Sequence, residues 1–98
     1  MTLSEPQKKY LRGLGHHLKP VVVVGDSGLS DSVRKEFEST IDHHELIKIR
    51  IRSGDREVRD DIIAKLCDQQ TQLVTRIGSV ALVYRHNTDQ PRINLPRR

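Results

Sequence analysis

The segment from Leu46 to Arg52 restricts the possible folds of this chain more than any other. Three isoleucines alternate along it with three cations: Ile47, Lys48, Ile49, Arg50, Ile51 and Arg52. Because successive side chains of a strand point to opposite faces, this alternation predicts a β-strand with one apolar face and one cationic face. The isoleucines need a covering layer, whereas the cations need water or an anionic partner. The chain is therefore expected to form a sheet that is covered on one face and partly open on the other.

The residues before this strand predict a helix followed by a first strand. Ser4 and Gln7 have the spacing of a capping box, so a helix is expected to start at Ser4 and to end before Pro20. Leucines at helical spacing form its predicted apolar stripe: Leu11, Leu14 and Leu18. The β-branched run Val21–Val24 then predicts a strand that is buried on at least one side.

Two further helices flank the alternating strand. The second helix begins at Ser30 or Asp31 and is expected to bury residues at four-residue steps: Val33, Phe37 and Ile41. The third helix begins after Asp55, and its inward residues are again predicted at four-residue steps: Val58, Ile62 and Leu66. Both helices therefore have one apolar side that can cover the sheet.

The order of these elements predicts an α/β domain of the α+β two-layer type, in which a helix precedes a β-α-β-α-β-β unit. The last two strands, 72–77 and 80–85, are joined by Gly78–Ser79, which suits a hairpin with a type II′ turn. Helical crossovers make the first three strands parallel and place both crossover helices on one face of a four-stranded mixed sheet. At 98 residues, we expect 1–98 to be a single domain, with 86–98 as an extended basic tail that has room to move.

Positive charge is concentrated near the two ends of the chain. The net charge of +4 comes from 17 Lys and Arg against 13 Asp and Glu, and the segment 8–19 contains no acid. This uneven distribution favours a polyanionic partner. A single cysteine excludes a disulfide framework, and no apolar stretch approaches the length that spans a membrane. We therefore expect a cytoplasmic protein that binds neither a membrane nor a small-molecule substrate.

Several short motifs carry a resemblance to a known family. In chain order they are Leu11–Leu14, Leu18–Val22, Gly25–Ser30, His43–Ile49 and Leu82–Arg85. Over nearly the whole chain, this pattern resembles the stand-alone bacterial CRM domain (chloroplast RNA splicing and ribosome maturation) of the YhbY family. The resemblance implies a fold similar to the C-terminal domain of translation initiation factor three and RNA binding without catalysis. It also implies association with precursors of the large ribosomal subunit.

The family's glycine loop falls on Gly25-Asp26-Ser27-Gly28, and a separate physical argument also favours this segment. A Gly-x-x-Gly turn lets the backbone approach a phosphate, and the amides of the following helix point at the anion. Asp26 repels a phosphate, so the interaction would depend on Ser27 and on neighbouring cations. The alternative is that the glycines only make a tight turn before Ser30 caps a helix.

Two groups of cations are the other candidate RNA contacts. The first group lies on the first helix and just after it: Lys8, Lys9, Arg12 and Lys19. The second group is the cationic face of the alternating strand: Lys48, Arg50 and Arg52. The alternative for the helix is a solvated charged face, and for the strand it is ion pairing with nearby acids: Glu45, Asp55 or Glu57. Arg97 and Arg98 are expected to form only a non-specific tail.

Other residue patterns argue against base stacking, catalysis and metal binding. The chain has three aromatics, Tyr10, Phe37 and Tyr84, which are too few for the stacking platforms of single-strand binders. Ser27 lies in a Gly-Asp-Ser-Gly sequence like that around a serine-protease nucleophile, but 98 residues cannot form the two barrels that supply its partners. Adjacent histidines point about 100° apart on a helix and make poor zinc ligands.

These patterns together predict a protein that is not an enzyme and that uses no metal or cofactor. The family resemblance implies that its partner is structured ribosomal RNA of large-subunit precursors and that its role is to assist ribosome assembly. The shortage of aromatics adds that this RNA is recognised through its backbone and shape. The alternative is a protein-interaction module whose basic surface binds an acidic protein.

Overall fold

In the residues that this computed structural model describes, 2–68 and 70–97, three helices and four strands follow in the predicted order. They are α1 (Glu5–Gly15), β1 (Pro20–Val24), α2 (Asp31–His44), β2 (Leu46–Ile51), α3 (Arg56–Leu66), β3 (Thr71–Ile77) and β4 (Val80–Arg85). Ser4, Ser30 and Asp55 cap the three helices by accepting a backbone N–H of the first turn. Met1 and Arg98, the ends of the predicted domain and tail, lie outside the described residues. None of these three helices is both long and apolar enough to cross a membrane.

The four strands form one mixed sheet, as predicted, in the order β1-β2-β4-β3. β2 runs parallel to β1, and β4 lies antiparallel between β2 and β3. The first three strands therefore share one direction, although the last strand separates β3 from β2. The hairpin between β3 and β4 turns at Gly78, whose φ of 59° is in the left-handed region. A positive φ at the first turn residue agrees with the predicted type II′ turn.

One face of the sheet is covered by α2 and α3, as expected for two crossovers of the same hand. Its buried core combines the isoleucines of β2 with residues of the other elements: Val22, Val24, Phe37, Ile41, Ile62, Ile63, Leu66, Ala81 and Val83. The prediction that Val58 points inward is wrong, since this residue is 44% exposed. Val58 lies in the first turn of α3, where it lines a surface cavity at the edge of the sheet instead of packing on it.

The opposite face of the sheet carries α1. Together with the residue that precedes its N-cap and with three strands, α1 forms a second apolar cluster: Leu3, Leu11, Leu46, Val74, Leu82 and Tyr84. The closest approach is at Gly15, where an added Cβ would lie 2.7 Å from Leu82 Cδ2. The absence of a side chain at this position therefore lets the end of α1 rest directly on β4.

This contact explains why the predicted leucine stripe of α1 is partly wrong. Leu11 is fully buried, but Leu14 and Leu18 remain 41% and 38% exposed. The buried residues of α1 are Gln7, Leu11 and Gly15, at four-residue steps. Because Gly15 meets the sheet, the helix is rotated so that Leu14 lies beside the contact, and Leu18 follows the end of the helix.

The segment after β4 is extended and returns along the domain, held mainly by Glu45. The Glu45 side chain is fully buried and accepts three backbone N–H groups: Asn87 at 2.7 Å, Arg92 at 2.6 Å and Ile93 at 2.8 Å. Gln7 Nε2 donates to the Pro96 carbonyl at 3.0 Å, and apolar residues of the segment pack against the second cluster. These contacts give residues 87–96 a defined path over the domain.

Candidate nucleic-acid interface

The glycine loop, residues 25–28, makes a tight turn between β1 and α2. The Gly28 N–H donates to the Gly25 carbonyl at 3.0 Å, and Gly28 has a φ of 73°, which strains any residue with a Cβ. Ser30 then caps α2 through its hydroxyl. Within the described residues, the N–H groups of the two residues between the glycines donate to no acceptor. The structure thus contains the turn and the cap of the alternative interpretation, and it leaves two backbone amides in exposed residues without an acceptor in the protein.

A cavity of about 350 Å³ joins the glycine loop to the loop after β2. The loops are neighbours because β1 and β2 are parallel, and the Arg52 N–H donates to the Val24 carbonyl at 2.8 Å. Arg52 is exposed and lines the cavity, and Asp26 lines it as well. The Asp26 carboxylate therefore opposes an anion there, while Arg52 is the cation that the fold brings to the glycine loop.

A second cavity, the helix–strand cleft, lies between the C-terminal end of α1 and the sheet. Its volume is about 520 Å³, and it is lined by three of the candidate cations: Arg12, Lys48 and Arg50. The two cations of β2 lie on the face opposite its buried isoleucines, as the alternation predicts. The end of α1 stands over the same face because Gly15 touches Leu82. The fold therefore brings one cation of the helix group to two cations of the strand group.

The other cations of the helix group lie outside this cleft. Lys19 is exposed beside a smaller cavity of about 200 Å³, which Lys48 also lines. Lys8 and Lys9 are in the first half of α1, roughly 10 Å from Gly15 along the axis at a rise of about 1.5 Å per residue. Lys8 is half-buried and Lys9 is exposed, and they point about 100° apart. Lys48 lines both cavities, so Lys19 lies next to the cleft. Lys8 and Lys9 lie away from the cleft.

Within residues 2–68 and 70–97, none of the seven candidate cations forms an ion pair. The ion pairs found there use other basic residues: Arg56, Lys65, Arg76, Arg85 and His86. The alternative in which the strand cations pair with nearby acids is therefore wrong. Glu45 is buried under the C-terminal segment, and Asp55 caps α3. Because none of these cations forms an ion pair in the described residues, they present positive potential to the solvent, which Asp26 reduces near Arg52.

The cleft also has an apolar floor that was not predicted from the sequence. The floor consists of Ile77, Val80 and Leu82 of the β3–β4 hairpin, and His16 lies at the rim. Ile77 is 78% exposed and Val80 is half-buried, whereas Leu82 is only 3% exposed, so the floor is open to solvent mainly at Ile77. The floor could be found only from the pairing register of β2 and β4, which places Lys48 opposite Leu82. The residue pattern of one strand does not contain this register, so the sequence carried no signal for the floor.

Arg85, the first cation of the basic C-terminal end, is part of the core. Its guanidinium is bonded to the carboxylates of Glu38 and Asp42 and to the Thr71 hydroxyl, and it lies 5.9 Å from the ring centre of Phe37. Burial by itself lowers the pKa of Arg85, but the hydrogen bonds to the two carboxylates outweigh burial and raise this pKa above its ordinary value. Arg85 therefore stabilises the domain and is not exposed to an anionic partner.

Comparison with known proteins places the chain in a family. Residues 3–85 match the CRS1 / YhbY (CRM) domain. An RNA-binding protein of Haemophilus influenzae is 42% identical in an alignment of 98 positions that covers 99% of this chain and 98% of the relative. A probable RNA-binding protein of Bacillus subtilis is 32% identical over 96% of this chain and 99% of its own length. The solution structure of the hypothetical protein SAV1595 from Staphylococcus aureus superposes with a TM-score of 0.82 at 29% identity, covering 97% of this chain and 100% of that one. The chain therefore belongs to the CRS1/YhbY family of CRM domains, as its motifs indicated.

Proposed function

We propose that this chain is a non-catalytic, cytoplasmic RNA-binding protein that assists ribosome assembly by binding ribosomal RNA of large-subunit precursors. The observation that carries the RNA proposal is a set of uncompensated cations leading from the glycine loop to the helix–strand cleft: Arg52, Arg50, Lys48 and Arg12. The names of the relatives as RNA-binding proteins support it. The ribosomal target and the assembly role rest on what the family resemblance implies.

Phosphates are the RNA groups that this surface suits best. Alternate residues of a strand are about 7 Å apart, so Lys48, Arg50 and Arg52 form a row along which a phosphate backbone can run. At the end of this row, the two open amides of the glycine loop and the N-terminus of α2 add partial positive charge. Asp26 weakens this end, so most of the attraction comes from the side-chain cations.

Aromatic residues contribute little to this surface. Phe37 and Tyr84 are buried in the two apolar clusters, and Tyr10 is the aromatic that is exposed. A cationic surface without a platform of exposed rings binds chiefly through phosphates and the shape of the RNA. Its affinity should therefore fall steeply as salt is added.

A filter-binding titration with structured ribosomal RNA at several salt concentrations tests the proposal. The double variant Lys48→Glu, Arg50→Glu should bind at least about tenfold more weakly, and its salt dependence should be shallower by roughly two in log–log slope. The matched control Lys65→Glu, Arg97→Glu makes the same change in net charge on α3 and in the C-terminal segment. It should keep most of the affinity. Equal losses in both variants, or no binding by the unaltered protein, would refute the proposed surface.

Binding to an acidic protein is the alternative that the same uncompensated cations allow. Nuclease treatment of complexes isolated from cells distinguishes the two, since it should release the protein from RNA and leave a protein–protein complex intact. Crosslinking in cells, followed by sequencing of the attached RNA, tests the ribosomal target. Crosslinks that fall on transfer or messenger RNA would refute that target while leaving RNA binding in place.

A further inference from the structure

We propose that the helix–strand cleft binds one unstacked nucleotide of the RNA, with the base on the apolar floor and its phosphates on the cations at the rim. This inference rests on the proposed RNA binding and adds what the site selects: an unpaired nucleotide within structured RNA. It follows from the juxtaposition, in one cavity, of an apolar hairpin surface that is exposed at Ile77 and of three cations that form no ion pair in the described residues.

The chemistry of the lining points to a ligand with an apolar part and an anionic part. The floor is made by Ile77, Val80 and Leu82, and none of the described residues that line the cleft is acidic. A phosphate backbone alone would use the rim cations and leave the floor in contact with water. A nucleotide uses both surfaces, because its base is flat and largely apolar on its faces and its phosphates are charged.

The size and the walls of the cleft suit a single base. Its volume of about 520 Å³ lies in the range of roughly 300–1,000 Å³ that is common for small-ligand sites. One wall is the end of α1, held on the sheet at Gly15. A base in a double helix stays stacked and paired, so only a base turned out of a bulge, loop or end reaches the floor.

The polar groups of the cleft favour binding with little preference for one base. The guanidinium planes of Arg12 and Arg50 can stack on any base, because every base has a π-face. Thr75 also lines the cleft, and its hydroxyl both donates and accepts hydrogen bonds. The cleft should therefore distinguish unpaired from paired nucleotides more strongly than it distinguishes base types.

Two RNA hairpins test the inference: one with a single bulged 2-aminopurine, and a matched one in which that nucleotide is paired. The unaltered protein should bind the bulged hairpin roughly tenfold more tightly and change its 2-aminopurine fluorescence. Thr75→Phe fills the cleft without changing any charge, so it should reduce the affinity for the bulged hairpin to that for the paired one. Thr88→Phe, at an exposed position after β4, is the control and should leave both affinities unchanged.

A second variant guards against a folding defect, because Thr75 is half-buried next to the irregularity in β3. Ile77→Glu changes a residue that is 78% exposed, and its carboxylate should also remove the preference for the bulged hairpin. Equal binding of both hairpins by the unaltered protein, or a preference that survives both variants, would overturn the inference while the proposed function stands. Binding of an acidic peptide at least as tightly as the bulged hairpin would also overturn it. Failure to bind either hairpin would refute the proposed function itself.

Discussion

Replacing Glu45 by glutamine tests how the C-terminal segment is held to the domain. Both oxygens of the buried carboxylate are in use, since Oε1 accepts the N–H groups of Arg92 and Ile93 and Oε2 accepts that of Asn87. His86 Nδ1 lies 3.4 Å from Oε2. In Glu45→Gln, one oxygen becomes an NH₂ group, which only donates hydrogen bonds. At least one backbone N–H then faces another donor in a space closed to water.

The size of the effect follows from the hydrogen bonds that the amide cannot make. A hydrogen bond to a charged group contributes about 1.5–3 kcal/mol, and one between neutral groups about 0.5–1.5 kcal/mol. Losing the bond to Asn87 and weakening the other two should therefore lower the free energy of unfolding by about 3–4 kcal/mol. That is a large part of the roughly 5–15 kcal/mol of a typical domain, and it corresponds to a decrease in Tm of at least about 12 °C.

Urea unfolding followed by circular dichroism measures this loss. Hydrogen exchange of the Asn87, Arg92 and Ile93 amides shows whether the segment itself is released. Glu36→Gln removes a carboxylate at an exposed position of α2 and is the control that should leave stability unchanged. A loss below about 1 kcal/mol in Glu45→Gln, with the three amides still protected, would show that the carboxylate does not hold the segment.

Gly28→Ala should destabilise the fold by about 1–2 kcal/mol because a φ of 73° strains a residue with a Cβ. Gly25→Ala adds a Cβ with no atom within 4 Å and should change the free energy of unfolding, measured in urea, by less than about 0.5 kcal/mol. Arg85→Gln removes the buried guanidinium from its carboxylate and hydroxyl partners and should cost about 2–3 kcal/mol in urea unfolding, whereas an unchanged midpoint would contradict its structural role. Burial, with the nearby Asp68 charge, raises the pKa of Cys67 to about 11 from 9.0, so the neutral thiol stabilises the fold below pH 9. That contribution should be lost as pH rises from 9 towards 11, and a Cys67→Ala variant should show a weaker alkaline decline in urea stability.

Local sequence patterns were sufficient to predict the elements and the family. The alternation in 46–52 corresponds to β2 with its isoleucines buried, and Ser4 and Ser30 cap the helices that their spacing indicated. Strand alternation and helix capping depend on residues a few positions apart, so the chain displays them directly. The parallel arrangement of the first strands also follows, because helical crossovers allow few alternatives.

Which side of α1 is buried, and which cations meet, were decided only by the tertiary structure. Leu14 looked like a core residue by its spacing, but Gly15 turns another side of α1 towards Leu82, which is distant in sequence. Arg12 and Lys48 share a cleft because α1 crosses the strand that carries Lys48 next to the β3–β4 hairpin. The energy of such a contact depends on the fit between two surfaces. The residue pattern of one segment describes only the surface of that segment. The sequence alone therefore determined that this chain has cations able to bind an anion. The packing of α1 on the sheet determined which of these cations lie in the same cleft.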